Sequence, residues 1–512
     1  MARRGRVLGC LGGAGRGKRC RNSGSLRSDP VKEPVATTQS GRVGGFVDEG
    51  ALAFLGIPYA DPPVGALRFK APAPPTKWAG LREAVEYGPT APQNEPGWTI
   101  IPEPVEPGDD YLNLNIYTPD VSDSLPVIVW IHGGGFTAGC NRSPWYRGTR
   151  FARDGVVLVS IGYRLGIEGF LEIDDAPSNR AILDWIAALE WVQSNIANFG
   201  GDPSQVTIGG QSAGSAACVY LLTNARAKGL FRRAICQSGV GDAAMTADTA
   251  RDLGRRVAQQ LGVKPTREEL ARFTPNELME AHAALGLPQS FDRGAPQLKP
   301  FVDGELVTSA PLAAVRNDVG GDVDVIVGAT SEEINGLRFR VPTEDAEQRL
   351  EEIGLGPDER RLYMEHIGVT EVHEAVGQAM TDYIFRVPAS KLLDARATAT
   401  AKTFGYDFRW PSPVSGVGAC HCLEIPFVFD NLDAERVKDG LHGPNPPQDL
   451  ASDMHRSWVQ FVTEGDPRWP PYDNARRRVA IFDDPMALAS DLMGVERDLF
   501  SRRRKESVGS GG

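Results

Sequence analysis

Cysteine is scarce in this chain, seven residues in 512 and an odd count. That excludes a disulfide-dense secreted scaffold and predicts a reducing, cytoplasmic setting. Long hydrophobic runs are missing too. None approaches the ~20 apolar residues that span a bilayer, so no membrane partner is expected. Basic charge is short as well, with a net charge of −11. Residues 1–28 nevertheless hold eight Lys/Arg and no acid, which leaves 47 basic against 66 acidic groups, or −19, for the remainder. An acidic body argues against a nucleic-acid partner. Metal-ligand spacing is also lacking. Cys420 and Cys422 flank His421 in "ACHC", but three neighbours on an extended segment cannot all face one ion, and neither H-E-x-x-H nor paired C-x-x-C accompanies them. No metal is expected.

What is present suits a globular protein: 41% hydrophobic and 24% charged residues. Residues 1–34 read as a basic, disordered extension, because the apolar piece near Val7 to Leu11 is too short and glycine-rich for a signal-peptide core. The tail 501–512, "SRRRKESVGSGG", reads as disordered. Between them, 35–500 is expected to form a single domain, since elaborated α/β enzymes carry one large sheet with inserted helices. "LPVIVWIHGGGF" (125–136) and "GVVLVSIGYR" (155–164) are continuously apolar, β-branched runs of the kind buried in parallel sheets. Ile182, Ile186, Leu189, Val192, Ile196 and Phe199 recur every three or four residues and predict one apolar helix face. Strand, helix, strand is the βαβ rhythm. Helical patterns from 242 to 287 suggest inserted helices roofing a pocket, and 323–333 and 403–410 return to strand character.

Residues 206–218 read "VTIGGQSAGSAAC". A β-branched strand breaks on glycines, presents Ser212, and resumes as good helix formers from Ala213. This is G-x-S-x-G in strand-turn-helix context, the pattern of a nucleophile elbow. With 57 glycines in the chain it is weak alone, so Ser212 needs partners: a base to take its proton and a carboxylate to hold that base. Of the seven histidines, His282, His366 and His373 sit in helical patterns, and His442 and His455 have polar or charged neighbours and read as solvated. His421, after a strand and a glycine-containing loop, is the best placed. Glu332 and Glu333 both stand just past the "VDVIVG" strand, and either suits the acid. "HGGGF" (132–136) follows a buried strand directly, and its bare amides suit an oxyanion site. The order serine, acid, histidine is that of α/β-hydrolases.

The chain resembles the type B carboxylesterase and cholinesterase family, and within it the bacterial para-nitrobenzyl esterases, from about residue 35 to 472. The likeness rests on "FLGIPYADPPVGALRF", "LNIYTP", "WIHGGGF", "GYRLGIEGFL", "NFGGDPSQVTIGGQSAG" and "HCLEIPFVF" in that order. It implies an α/β-hydrolase fold: a large, mostly parallel sheet flanked by helices, with helical insertions over the site. By the same resemblance Ser212 is the nucleophile, His421 the base and Glu333, rather than Glu332, the acid. Gly134, Gly135 and Ala213 donate the oxyanion N–H groups, while His132 and Gly133 shape the loop. The implied activity is hydrolysis of neutral, small-molecule carboxylic esters without a cofactor; the sequence leaves the oligomeric state open, with a monomer favoured. Carbamate or aryl-amide hydrolysis is the enzymatic alternative, and an adhesion role, which in this family goes with loss of the serine, the non-enzymatic one. Three departures stand out. Gln211 replaces the usual glutamate before the nucleophile, Ile334 replaces the glycine after the acid, and Ala91 and Tyr111 replace a disulfide. The early loop is therefore expected to be untethered.

Overall fold

The computed structural model describes residues 33–94, 99–241, 245–287, 297–336 and 343–501. The extension and tail read from the sequence lie outside these residues up to position 32 and from position 502. Among the described residues eleven strands build one sheet: β1 (Phe46–Asp48), β2 (Ala51–Pro58), β3 (Asn113–Thr118), β4 (Leu125–Ile131), β5 (Val157–Ile161), β6 (Gly201–Gln211), β7 (Arg233–Gln237), β8 (Asp324–Thr330), β9 (Thr403–Phe408), β10 (Arg478–Phe482) and β11 (Ala487–Ser490). In space they run β11-β10-β9-β8-β7-β6-β4-β5-β3-β2-β1. The strands from β10 to β5 are all parallel. Antiparallel pairs are confined to the two edges. This is the mostly parallel sheet the resemblance implies.

Alternation along β4 explains how one sheet supports two cores. Val127, Val129 and Ile131 face the helix Arg180–Asn195, packing with Trp185, Ile186, Leu189 and Val192. Ile128 and Trp130 face the opposite layer, where Trp458 and Phe461 of helix Gln448–Glu464 lie. The predicted apolar stripe from Ile182 to Phe199 is buried throughout. β7 ("RAICQ") escaped the sequence reading because it is short and opens on Arg233, yet all of it is buried between β6 and β8.

Two histidine readings are corrected. His455 lies buried on helix Gln448–Glu464, its Nδ1 2.7 Å from Val428 O and its Nε2 3.1 Å from Asp154 Oδ2. Its charged sequence neighbours occupy the outer face of that helix. His442 is buried among the rings of Trp145 and Phe427, its Nε2 2.8 Å from Leu423 O, and burial lowers its pKa to about 4.

Several resemblance motifs turn out to be ties between segments. Arg164, just past β5, is fully buried and grips Asp184 through Nε (2.8 Å) and Nη2 (2.6 Å). Arg68 of "GALRF" meets Glu168 of "GIEGF" at 2.5 Å. Removing one partner of such a buried pair strands the other charge. Among the described residues the five cysteines are free and buried, and no helix is long and apolar enough to cross a membrane.

Candidate active site

β4 and β6 are neighbours, with Ile131 opposite Gly210, yet the chain leaves β4 toward one edge through β5 and returns to continue toward the other. The strand order reverses here, and open parallel sheets place their chemistry beyond the carboxyl ends of strands at such a switch point. Four segments emerge there: the glycine loop after β4, Ser212 after β6, the acid after β8, and the loop after β9 that carries His421.

The turn at Ser212 is tight because helix Ala213–Leu222 starts immediately. Ser212 adopts φ 59° and ψ −120°, a sparsely populated conformation that costs about 1–3 kcal/mol and persists only under surrounding constraint. Its N–H donates to Gln237 O at 2.8 Å. Both flanking glycines are steric necessities: a Cβ on Gly210 would sit 2.5 Å from the Gly214 carbonyl carbon, and one on Gly214 would strike Ile131 O. Gly134 and Gly135 turn with φ of +101° and +62°. A Cβ on Gly133 would fall 3.2 Å from Ser212 Cβ, so the loop lies against the elbow. Among the described residues the N–H groups of Gly134, Gly135 and Ala213 donate to no protein acceptor. Ala213 opens its helix, whose N-terminal dipole favours negative charge. His132 is buried and neutral, its pKa lowered to about 4 by burial, and its ring stacks on Tyr163.

The two candidate acids part company here. Glu332 Oε2 accepts from Ala419 N at 2.9 Å and so braces the histidine loop. Glu333 is fully buried. Its Oε1 accepts from Thr330 N at 3.0 Å and its Oε2 lies 2.5 Å from His421 Nδ1, while its carbonyl accepts from His421 N at 2.7 Å. Burial alone would lower the His421 pKa, but the charge and hydrogen bond of Glu333 raise it overall. Ile334, in place of glycine, leaves that carboxylate in position: its N–H donates to Thr381 Oγ1 at 3.2 Å. Among the described residues no hydrogen bond joins Ser212 Oγ to His421. Such bonds are often long before substrate binds and tighten in the complex.

Three features were not foreseen. Glu424, three residues beyond His421, is fully buried, with Oε1 accepting from Gln237 Nε2 at 3.2 Å and Oε2 without a hydrogen-bond partner among the described residues. Burial and the neighbouring Glu333 raise its pKa to about 7. Phe385, in a π-helical turn at Asp382–Arg386, lays its ring 4.9 Å from the His421 ring. Phe385 thus brings an insertion later than the helical patterns of 242–287 against the imidazole. Gln211 Nε2 sits 3.4 Å from both His421 nitrogens, and Gln211 Oε1 accepts from Cys422 Sγ at 3.3 Å. Gln211, next to the nucleophile, and Glu424, three residues past the histidine, carried a sequence signal; Phe385 carried none.

The early loop is held rather than untethered. Glu106 pairs with Thr90 through Thr90 N to Glu106 O and Glu106 N to Thr90 Oγ1, both 2.9 Å, and Arg82 meets Asp110 at 2.9 Å. Hydrogen bonds supply what the missing disulfide does not. The same loop brings in Glu103, whose pKa burial raises to about 7 against the pull of Arg436, and whose Oε1 has no hydrogen-bond partner among the described residues. Trp98, the tryptophan of the early loop, lies outside the described residues.

A family model described as the carboxylesterase family matches residues 32–493. The chain is similar to the para-nitrobenzyl esterase of Bacillus subtilis (strain 168), 33% identical over 90% of this chain and 97% of that protein. It is similar also to a phenmedipham hydrolase of Pseudarthrobacter oxydans, 34% identical over 92% of this chain and 98% of the other. Its fold matches the carboxylesterase EST55 of Geobacillus stearothermophilus with a TM-score of 0.81 at 34% identity, covering 91% of this chain and 99% of that structure.

Proposed function

The chain belongs to the carboxylesterase family, and on that premise we propose that it hydrolyses neutral carboxylic esters through an acyl-enzyme carried on Ser212. The observation that supports this most is convergence: a strained serine, a histidine bonded to a buried carboxylate, and unpaired amides meet at one end of adjacent strands. In the first half-reaction Ser212 Oγ attacks the ester carbonyl while its proton passes to His421 Nε2. Glu333 accepts the Nδ1–H bond, holding the tautomer and stabilising the imidazolium. The carbonyl oxygen becomes an oxyanion and accepts from the N–H groups of Gly134, Gly135 and Ala213. As the intermediate collapses, His421 returns the proton to the departing alcohol. Water then attacks the acyl-serine with its proton going to His421, and release of the acid restores Ser212.

The preference for uncharged esters follows from Gln211, which removes the carboxylate next to the nucleophile. A series of p-nitrophenyl esters of increasing acyl length, run beside a carbamate and an anilide, tests the reading. Higher kcat/KM for an ester than for either competitor is the expected result. A carbamate or anilide that outpaces every ester would overturn the substrate class.

A further inference from the structure

Gln93 stands in the early loop and reaches across to the far end of the glycine loop. Its Nε2 donates to Gly139 O at 2.9 Å, and Gly139 N donates to its Oε1 at 2.9 Å. Nε2 also donates to Ala91 O at 3.2 Å, so both of its donors are used. The side chain is buried. Among the described residues the backbone N–H and C=O of Gly139 have no other partner.

Gly139 is a hinge point of the loop. It adopts φ of +105°, and a Cβ there would fall 2.5 Å from Gly133 O and 2.6 Å from His132 Nδ1. It therefore rests on the two residues that immediately precede the unpaired amides. The other anchors are elsewhere: Tyr163 OH donates to His132 O at 2.9 Å, and Gly166 N donates to Phe136 O at 2.8 Å. Within the loop Thr137 N and Ala138 N donate to Gly134 O at 3.2 and 3.0 Å, and among the described residues Gln93 is the hydrogen-bond partner of Gly139.

We propose that Gln93 is a positioning residue for the oxyanion site, setting the aim of the Gly134 and Gly135 N–H groups through its two bonds to Gly139. The inference rests on the oxyanion reading of that loop given above. An amide stabilises an oxyanion only when it points where the charge develops. Gln93 is buried behind its bonds to Gly139, so its loss is expected to act on the transition state and to leave ground-state binding in place.

The test is Gln93→Met, similar in length but without amide donor or acceptor. It is expected to lower kcat about 10- to 100-fold, the scale of a ~1 Å misplacement in an active site, with KM little changed. Two ketones of one skeleton separate positioning from general loosening. Ser212 Oγ adds to a trifluoromethyl ketone to form a hemiketal oxyanion, its proton passing to His421, whereas the methyl ketone binds without adding. In Gln93→Met the trifluoromethyl ketone should weaken in proportion to kcat and the methyl ketone should not. A kcat within about twofold of wild type, or equal weakening of both ketones, overturns the proposal. If Gln93→Met fails to fold, Gln93→Glu keeps the acceptor for Gly139 N, and the same split at smaller amplitude is expected. A wild-type enzyme that binds both ketones equally would sink the reading of the glycine loop itself, and the inference with it.

Discussion

Ser212 holds a conformation that most residues avoid, φ 59° with ψ −120°, and such strain persists where the surroundings dictate it. Ser212→Ala and His421→Ala are each expected to lower kcat about 10⁶-fold, because triad members act as a unit, with the melting temperature nearly unchanged. Esterase activity surviving in purified Ser212→Ala would remove the assignment, as would a serine-directed organophosphate adduct mapped to another peptide. Protonation is the second residue-scale lever. His421 must be neutral to take a proton, and its pKa is raised above 6.5 overall by Glu333 with a contribution from Glu424. Activity is therefore expected to fall with acid through a midpoint above 6.5, read in kcat/KM as a property of the free enzyme. Glu424→Gln removes one of the charges that raise that pKa, so the acid limb should move to lower pH. An unmoved limb would mean that Glu424 stays protonated throughout and contributes no charge.

At the scale of elements, the strand-turn-helix unit works because β4, β6 and helix Ala213–Leu222 approach more closely than side chains permit. Gly214→Ala would drive a methyl group into Ile131 O, and a backbone that cannot yield cheaply should lose about 1–3 kcal/mol, measured as a lower denaturation midpoint. The glycine loop tests differently. Gly135 has φ of +62° with open space around its missing Cβ, so conformation rather than crowding is the constraint. Gly135→Pro imposes φ near −65° and deletes an N–H. Losing a single oxyanion donor costs about 10²–10³ in kcat, and this variant, which also bends its neighbours, should lose at least that. A fully active Gly135→Pro would show that this amide does not hold the oxyanion.

For the whole molecule the question is charge. A quaternary ammonium is held by an aromatic face, an anion, or both, and a desolvated cation-π contact is worth up to ~2 kcal/mol. Gln211 removes one anion, and Glu103, the carboxylate that the early loop brings inside, has a pKa raised to about 7 and is largely neutral below that pH. What remains is the diffuse field of an acidic body, which salt screens over about 8 Å at physiological ionic strength. At that ionic strength and below pH 7, kcat/KM for acetylthiocholine is expected to fall short of that for an uncharged thioester of similar size. A clear preference for the choline ester, abolished by Glu103→Gln, would show that this carboxylate forms a cation site after all.

Read alone, the sequence determined the chemistry and its order: the elbow, the glycine loop, the histidine and a pair of glutamates, because each is local and is marked by glycine or by a strand end. It also determined the parallel core, since runs such as "LPVIVWI" are buried on both faces only in such a sheet. Tertiary structure decided what depends on approach across hundreds of residues. Glu332 and Glu333 are adjacent and alike in sequence, and only the docking of the loop after β9 makes one a brace and the other the partner of His421. His442 and His455 have polar neighbours, yet packing buries both. Gln93 carries no local mark at all, and Glu424 is marked only by its place three residues past His421. Their surroundings come from strands and loops far along the chain, and burial and hydrogen-bond pairing arise only when those segments meet.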